Sequence, residues 1–386
     1  MYDRALPGDV VKRTMRIGVR LLGLALVVFV LTRIQFNDQI TWPDKRISVG
    51  TIVSEGSTSV MFLGDGKKSP ELVVTGGEAG ATVRRGVITI IKQAELSYLL
   101  VALFMFGPIS LISIWRWWML LRAVGLPIRY LEALRLSFIG FFFNTVVPGL
   151  TGGDVVKAFY IARGSQSPYK AFLSVFVDRG IGLFGLAILA AVVMLRHVTD
   201  PRFLQAAAFV YGAVAVATVV GCVMFSRRLR RLLRVEQILV RLPLGQVLSR
   251  IDQAVIAYRG APKVVGAAIL LSVANHAGIV CMVILIGKGL GIHNEWSHYF
   301  VLAPICFMLA SIPLVPGGWG MREGAFAYFF ATVGVAEEAS VSISVLHGLA
   351  QTVWYLIGGL VFVARPDRAS DREIEAFSAE MQATET

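Results

Sequence analysis

The 386 residues carry 56% hydrophobic side chains and only 16% charged ones, with a mean hydropathy of +0.69. That leaves too little polar surface for a soluble globule and requires most of the chain to face lipid. The formal net charge of +12 does not point to nucleic acid, because the basic residues fall in short clusters between apolar runs, as the positive-inside rule describes. Cys222, Cys281 and Cys306 sit in apolar segments without regular spacing, which supports neither a disulfide framework nor a metal site.

Residues 1–36 combine Lys12, Arg13, Arg16 and Arg20 with an apolar run at 17–31. No small-x-small cleavage site follows, so the segment reads as a first transmembrane helix that starts in the cytoplasm. Residues 37–93 then change character. Short β-branched runs at 46–53, 58–63, 71–75 and 83–91 alternate with turns such as Gly64-Asp65-Gly66 and Gly76-Gly77, which predicts a small β-rich extracytoplasmic insert. It contains no cluster of His, Cys or paired carboxylates, so a structural role or the docking of an envelope protein partner is expected of it.

Seven apolar runs follow, at 96–121, 131–147, 171–195, 203–225, 264–286, 300–315 and 341–364, which brings the expectation to about eight hydrophobic spans. The fold class is therefore an all-α polytopic membrane protein, with its main domain at 94–365. Arg227, Arg228, Arg230, Arg231, Arg234, Arg241, Arg250, Arg259 and Lys263 make 226–263 a basic cytoplasmic loop, and 366–386 reads as a polar cytoplasmic tail. A cytoplasmic N-terminus, loop and tail are mutually consistent only if 144–163 and 313–333 each dip into the membrane and return. Two re-entrant helical hairpins in inverted orientation are thus expected.

Those two places hold the least ordinary local sequence. Asn144 leads to Pro148-Gly149 and then Gly152-Gly153-Asp154 and Lys157, while Pro313 leads to Pro316-Gly317-Gly318, Gly320, Arg322 and Glu323. Proline removes a backbone donor and glycine permits positive φ, so each motif should break a helix and start a new half-helix at a charge. Pro-Gly pairs also make ordinary turns, but two similar motifs weigh against that alone. Half-helix N-termini at mid-membrane suit an anion such as a lipid phosphate. Lys157 and Arg322 would be its counter-charges, and Asp154 and Glu323 orienting or proton-coupled groups.

Asp178 and Arg179 lie inside an apolar span, where each charge costs about 2.5 to 3.5 kcal/mol unless paired or wetted. They either serve the same site or form an ion pair with the 152–163 segment. Asn275 and His276 are expected to be inter-helical hydrogen-bond glue, and Arg116, beside Trp115, Trp117 and Trp118, an interfacial anchor. His347 and Gln351 stand one helical turn apart, either lining a cavity or packing.

On the motif at 144–163, the Asp178-Arg179 pair and Pro316 to Glu323 followed by Gly334-Val335, the chain over about 97–364 resembles the flippase-like transmembrane domain of lysylphosphatidylglycerol synthases. The resemblance implies movement of lipid between leaflets of a bacterial cytoplasmic membrane, including aminoacylated phosphatidylglycerol and, in some relatives, hopanoid-related lipids. The polar tail after Ala364 has no room for the soluble aminoacyl-transfer domain of the full synthases, so lysyl transfer is not expected, and the β-rich insert departs from the common pattern.

The expected function is a non-enzymatic lipid translocase without cofactor or metal, binding an anionic headgroup between the hairpins. Asn144, Gly152, Gly153, Asp154, Lys157, Asp178, Arg179, Pro316, Gly317, Gly318, Arg322 and Glu323 are the candidate site residues. A membrane-embedded glycosyl- or phosphoryl-transferase using Asp154 and Glu323, or an envelope scaffold acting through 37–93, are the competing classes. The sequence does not specify an oligomeric state.

Overall fold

A computed structural model describes residues 37–364 apart from 57–58, 76–80, 85, 87–88, 90–91, 147–151, 164–167, 235–255 and 312–319. The expected first span at 17–31, the tail and most of the basic loop lie outside the described residues. So do Pro148, Gly149, Pro316, Gly317 and Gly318.

The insert is a five-stranded sheet of β1 (Asp38–Thr41), β2 (Ile47–Glu55), β3 (Ser59–Gly64), β4 (Glu71–Val74) and β5 (Thr82–Arg84), in the order β4-β3-β2-β1-β5 with every pairing antiparallel. Alternation places Ile40, Ile52, Val60, Phe62 and Val73 on one face, where they form a small core. Two details differ from the sequence expectation. Of the described residues in the 83–91 run, Val83 and Arg84 are in a strand, and β1 is a strand that the runs read from the sequence did not include. Asp38 fastens β1 in place. Its buried carboxylate accepts hydrogen bonds from the Ile52 N–H (2.6 Å), the Gly86 N–H (2.6 Å) and the Thr89 hydroxyl (2.7 Å), tying the first strand to β2 and to the chain beyond β5. Asp38→Ala strands those donors and should destabilise the insert by about 3 kcal/mol, measured as earlier loss of β signal in thermal unfolding.

Ten helices follow among the described residues: α1 (Leu96–Ala123), α2 (Tyr130–Val146), α3 (Gly152–Arg163), α4 (Pro168–Met194), α5 (Leu204–Phe225), α6 (Arg227–Leu232), α7 (Pro262–Gly289), α8 (Trp296–Ala310), α9 (Met321–Ala331) and α10 (Glu337–Ala364). Five are long and apolar enough to cross a membrane: α1, α4, α5, α7 and α10, with short flanking turns included for α4 and α5. Large apolar side chains cover their outer flanks, among them Phe104, Val216, Leu270 and Leu360. In water this surface would be untenable, whereas acyl chains meet it without cost.

The runs expected as spans at 131–147 and 300–315 become the short helices α2 and α8. At 1.5 Å per residue the arms α2, α3, α8 and α9 reach only about 26, 18, 22 and 17 Å. Each arm packs on its successor, α2 on α3 and α8 on α9, so both broken segments are helical hairpins. They dock at opposite ends of the same helices. The first hairpin shares its core with the C-terminal half of α1 and the N-terminal halves of α4 and α7, including Leu120, Ala171 and Ala268. The second packs against the other halves, including Ala102, Met194 and Val283.

Glycine permits the first hairpin to close. A Cβ at Gly153 would stand 1.6 Å from the Gly140 carbonyl oxygen, so the α2 and α3 backbones touch where no side chain fits. At the second hairpin Gly320 adopts φ +84°, the left-handed region, immediately before α9.

Candidate functional site

Between the two cores the four longest helices turn their middles toward one cavity of about 260 Å³. The wall takes Ser110, Ser113 and Arg116 from α1, Asp178, Arg179 and Gly182 from α4, Asn275 and His276 from α7, and His347, Gln351 and Tyr355 from α10. Asn144, Asp154 and Lys157 come from the first hairpin, and Ser311 and Arg322 from the second. Six of the candidate residues thus meet at one site: Asn144, Asp154, Lys157, Asp178, Arg179 and Arg322.

Burial forces these charges to pair, because an ionised group removed from water without a partner costs several kcal/mol. Asp178 and Arg116, 5% and 6% exposed, form a two-pronged pair at 2.8 and 3.1 Å. The remaining arm of Arg116 donates to the Ser272 hydroxyl (2.9 Å), which donates in turn to the Gly182 carbonyl (3.2 Å). Asp154 sits between Lys157 (3.0 Å) and Arg179 (2.5 Å), and the Lys157 ammonium also lies 4.4 Å from the centre of the Trp117 ring. Arg322 pairs with Glu323 (2.9 Å), and both bind the Ser344 hydroxyl.

Two corrections to the sequence reading follow. Arg116 is not an interfacial anchor, because α1 runs about two turns beyond it and folds it inward. Its signal was the polar stripe Ser110, Ser113, Arg116, spaced at one helical turn on an apolar helix. The ion pair anticipated between the 178–179 dipeptide and the 152–163 segment is formed by Arg179 with Asp154, whereas Asp178 turns to α1.

Three other candidates stand behind the wall. Gly152 is the first residue of α3, and Gly153 makes the α2/α3 contact while donating its N–H to the Asn144 side-chain oxygen (2.9 Å). Glu323 does not face the cavity; it holds Arg322 and accepts from the Gly320 N–H (2.5 Å), closing the first turn of α9. Each half-helix N-terminus therefore already meets a polar group of its own chain.

His276 donates from Nε2 to the Gly182 carbonyl (3.0 Å), since a carbonyl only accepts. Among the described residues, Asn275 Oδ1, His276 Nδ1 and both ring nitrogens of His347 are buried without a hydrogen-bond partner. No group of three or more His, Cys, Asp or Glu suited to a metal ion occurs among the described residues.

Apolar outer flanks around a buried, fully paired set of charges define a polytopic helical membrane protein with a central polar cavity. The chain belongs to the family of the lysylphosphatidylglycerol synthase transmembrane region, whose model matches residues 82–359. That match begins at the first residue of β5, so β1 to β4 lie outside it. The chain is also 22% identical over 299 residues to a UPF0104 membrane protein of Pyrococcus horikoshii, covering 71% of this chain and 89% of that one. Two UPF0104 membrane proteins of Methanothermobacter thermautotrophicus align at 20% over 292 residues and 22% over 310, covering 68% and 72% of this chain and 82% and 87% of theirs.

Proposed function

We propose that this membrane protein is a non-enzymatic lipid translocase that carries the phosphate of a lipid headgroup through the central cavity. The observation that carries this reading is the meeting of both hairpins and the centres of α1, α4, α7 and α10 at one polar cavity. The long helices reach about 40 Å, enough to cross a bilayer with its headgroup regions, so their centres fall near its midplane. The arms of the hairpins are shorter than a bilayer core and dock from opposite ends, which supports re-entrant segments in inverted orientation. The location we propose is a bacterial cytoplasmic membrane with both termini on the cytoplasmic side, and the β sheet on the outside as a docking face for an envelope protein.

Lys157, Arg179 and Arg322 would receive the phosphate as their carboxylate partners yield. The test is movement of fluorescent anionic lipids in proteoliposomes. Asp154→Asn and Arg322→Ala should each slow it about tenfold or more, with the purified variants still monodisperse. Variants that move lipid at the wild-type rate would overturn the reading.

A further inference from the structure

Resting on that reading, we infer that the headgroup enters the cavity sideways from the bilayer, through an opening along α4, with Arg179 at its lip and the acyl chains left outside against Phe176 and Leu183. The cargo is then an amphiphile resident in the bilayer and not a soluble anion.

The opening follows from how α4 divides its surface. Residues 176, 179, 180 and 183 recur at helical spacing and share one stripe of that helix. Phe176 is 57% exposed, and a Cβ at Gly180 would meet nothing within 4 Å, so these two members of the stripe stand on the outer flank of the molecule. The other two line the cavity. Arg179 keeps 44% of its side chain exposed there and Leu183 is 42% exposed, whereas Asp178 and Leu186 on the inner side of α4 are buried. Cavity and outer flank therefore meet along this stripe.

The neighbours of α4 agree. It packs on α1, α3, α5, α7 and α8, while α10 packs on α1, α2, α7 and α9, and both helices line the cavity, α10 through His347, Gln351 and Tyr355. Their main packing surfaces are turned to other helices, which leaves the seam between them for the opening.

The lip decides what passes. Arg179 stands about 16 Å along α4 from its start at Pro168, close to the middle of the span. A guanidinium at that depth on a lipid-facing stripe is costly unless a headgroup or water reaches it. Phe176 and Leu183 border it about one turn to either side, and between Phe176 and Leu195 the chain carries no charge besides Asp178 and Arg179. That flank offers a soluble anion no polar path. An amphiphile fits it, because its phosphate can pair with the guanidinium at the lip while its chains lie on the two apolar side chains.

The experiment uses the full-length protein in liposomes with two photoreactive phospholipids, one carrying a diazirine on an anionic headgroup and one at the end of an acyl chain. Adducts are mapped by peptide mass. In wild type the headgroup probe should label the cavity-lining residues of α7 and α10, and the acyl probe the 176–183 stripe of α4. Arg179→Gln, which removes a charged donor, and Leu183→Trp, which fills the opening, should each lower headgroup labelling inside the cavity about tenfold. Val216→Trp on α5 should leave it unchanged. Leu183 is exposed, so the unfolding midpoint of Leu183→Trp should stay at the wild-type value and separate a blocked entry from a folding defect. Labelling inside the cavity that persists in both variants overturns this inference and leaves the headgroup reading standing. Displacement of the label by excess glycerol phosphate also overturns it, since the cavity would then fill from water. If the headgroup probe never labels the cavity of the wild type, the headgroup reading falls and takes this one with it.

Discussion

Asp178→Ala is expected to destabilise the protein by about 3–5 kcal/mol, because it leaves the Arg116 guanidinium buried without its carboxylate. Arg116 has no alternative: Ser272 occupies one arm, and the nearby Asp154 is held by Lys157 and Arg179. The loss should appear as a large fall in the unfolding midpoint in detergent. Removing both charges tests the mechanism, since a well-packed apolar pair escapes the desolvation that the ion pair suffers. Arg116→Met with Asp178→Leu should recover most of the stability and should not recover lipid movement. If the double variant is as unstable as Asp178→Ala, the pair holds the helices together by more than charge compensation.

Gly153→Val is expected to prevent the first hairpin from closing. The new Cβ would lie 1.6 Å from the Gly140 carbonyl oxygen and 2.5 Å from its carbon, and backbone on a packed helix cannot yield that far. Displacing α3 also pulls Asp154 and Lys157 from the cavity and breaks the Asn144 cap, so the cost should exceed about 4 kcal/mol. Lipid movement should fall to the level of empty liposomes. Gly180→Ala is the matched control, because nothing lies within 4 Å of a Cβ there. Equal behaviour of the two variants would refute the close contact.

The membrane class was legible because it rests on composition, and the helix pairs α2/α3 and α8/α9 flank the two segments that the Pro-Gly motifs had singled out. Asp154, Lys157, Asp178, Arg179 and Arg322 stood out in the sequence because charge inside an apolar run demands an explanation, and Asn144 because it precedes a Pro-Gly pair; the fold brings all six to one cavity. Partner choice was not legible. Arg116 and Asp178 stand 62 residues apart, and only the antiparallel packing of α1 and α4 brings them together. Arg116 was masked by its tryptophans, which mark an interface when a helix ends near them and a core when it continues. The spans at 131–147 and 300–315 were read from apolar length, which cannot distinguish a crossing helix from the arm of a hairpin. β1 escaped notice because its β-branched pair, Ile40 and Thr41, is too short a run to stand out, and the buried Asp38 carboxylate that fastens it acts through partners distant in sequence.

The most direct test of the central claim, that lipid headgroups pass through this cavity, is to fill it without touching a charge. Ser113 lines the cavity on α1, and Val216 faces outward on α5. In proteoliposomes Ser113→Trp should reduce movement of anionic lipid to the protein-free background, while Val216→Trp keeps the wild-type rate. Unchanged movement with Ser113→Trp in a folded protein would contradict the account and place the lipid path elsewhere.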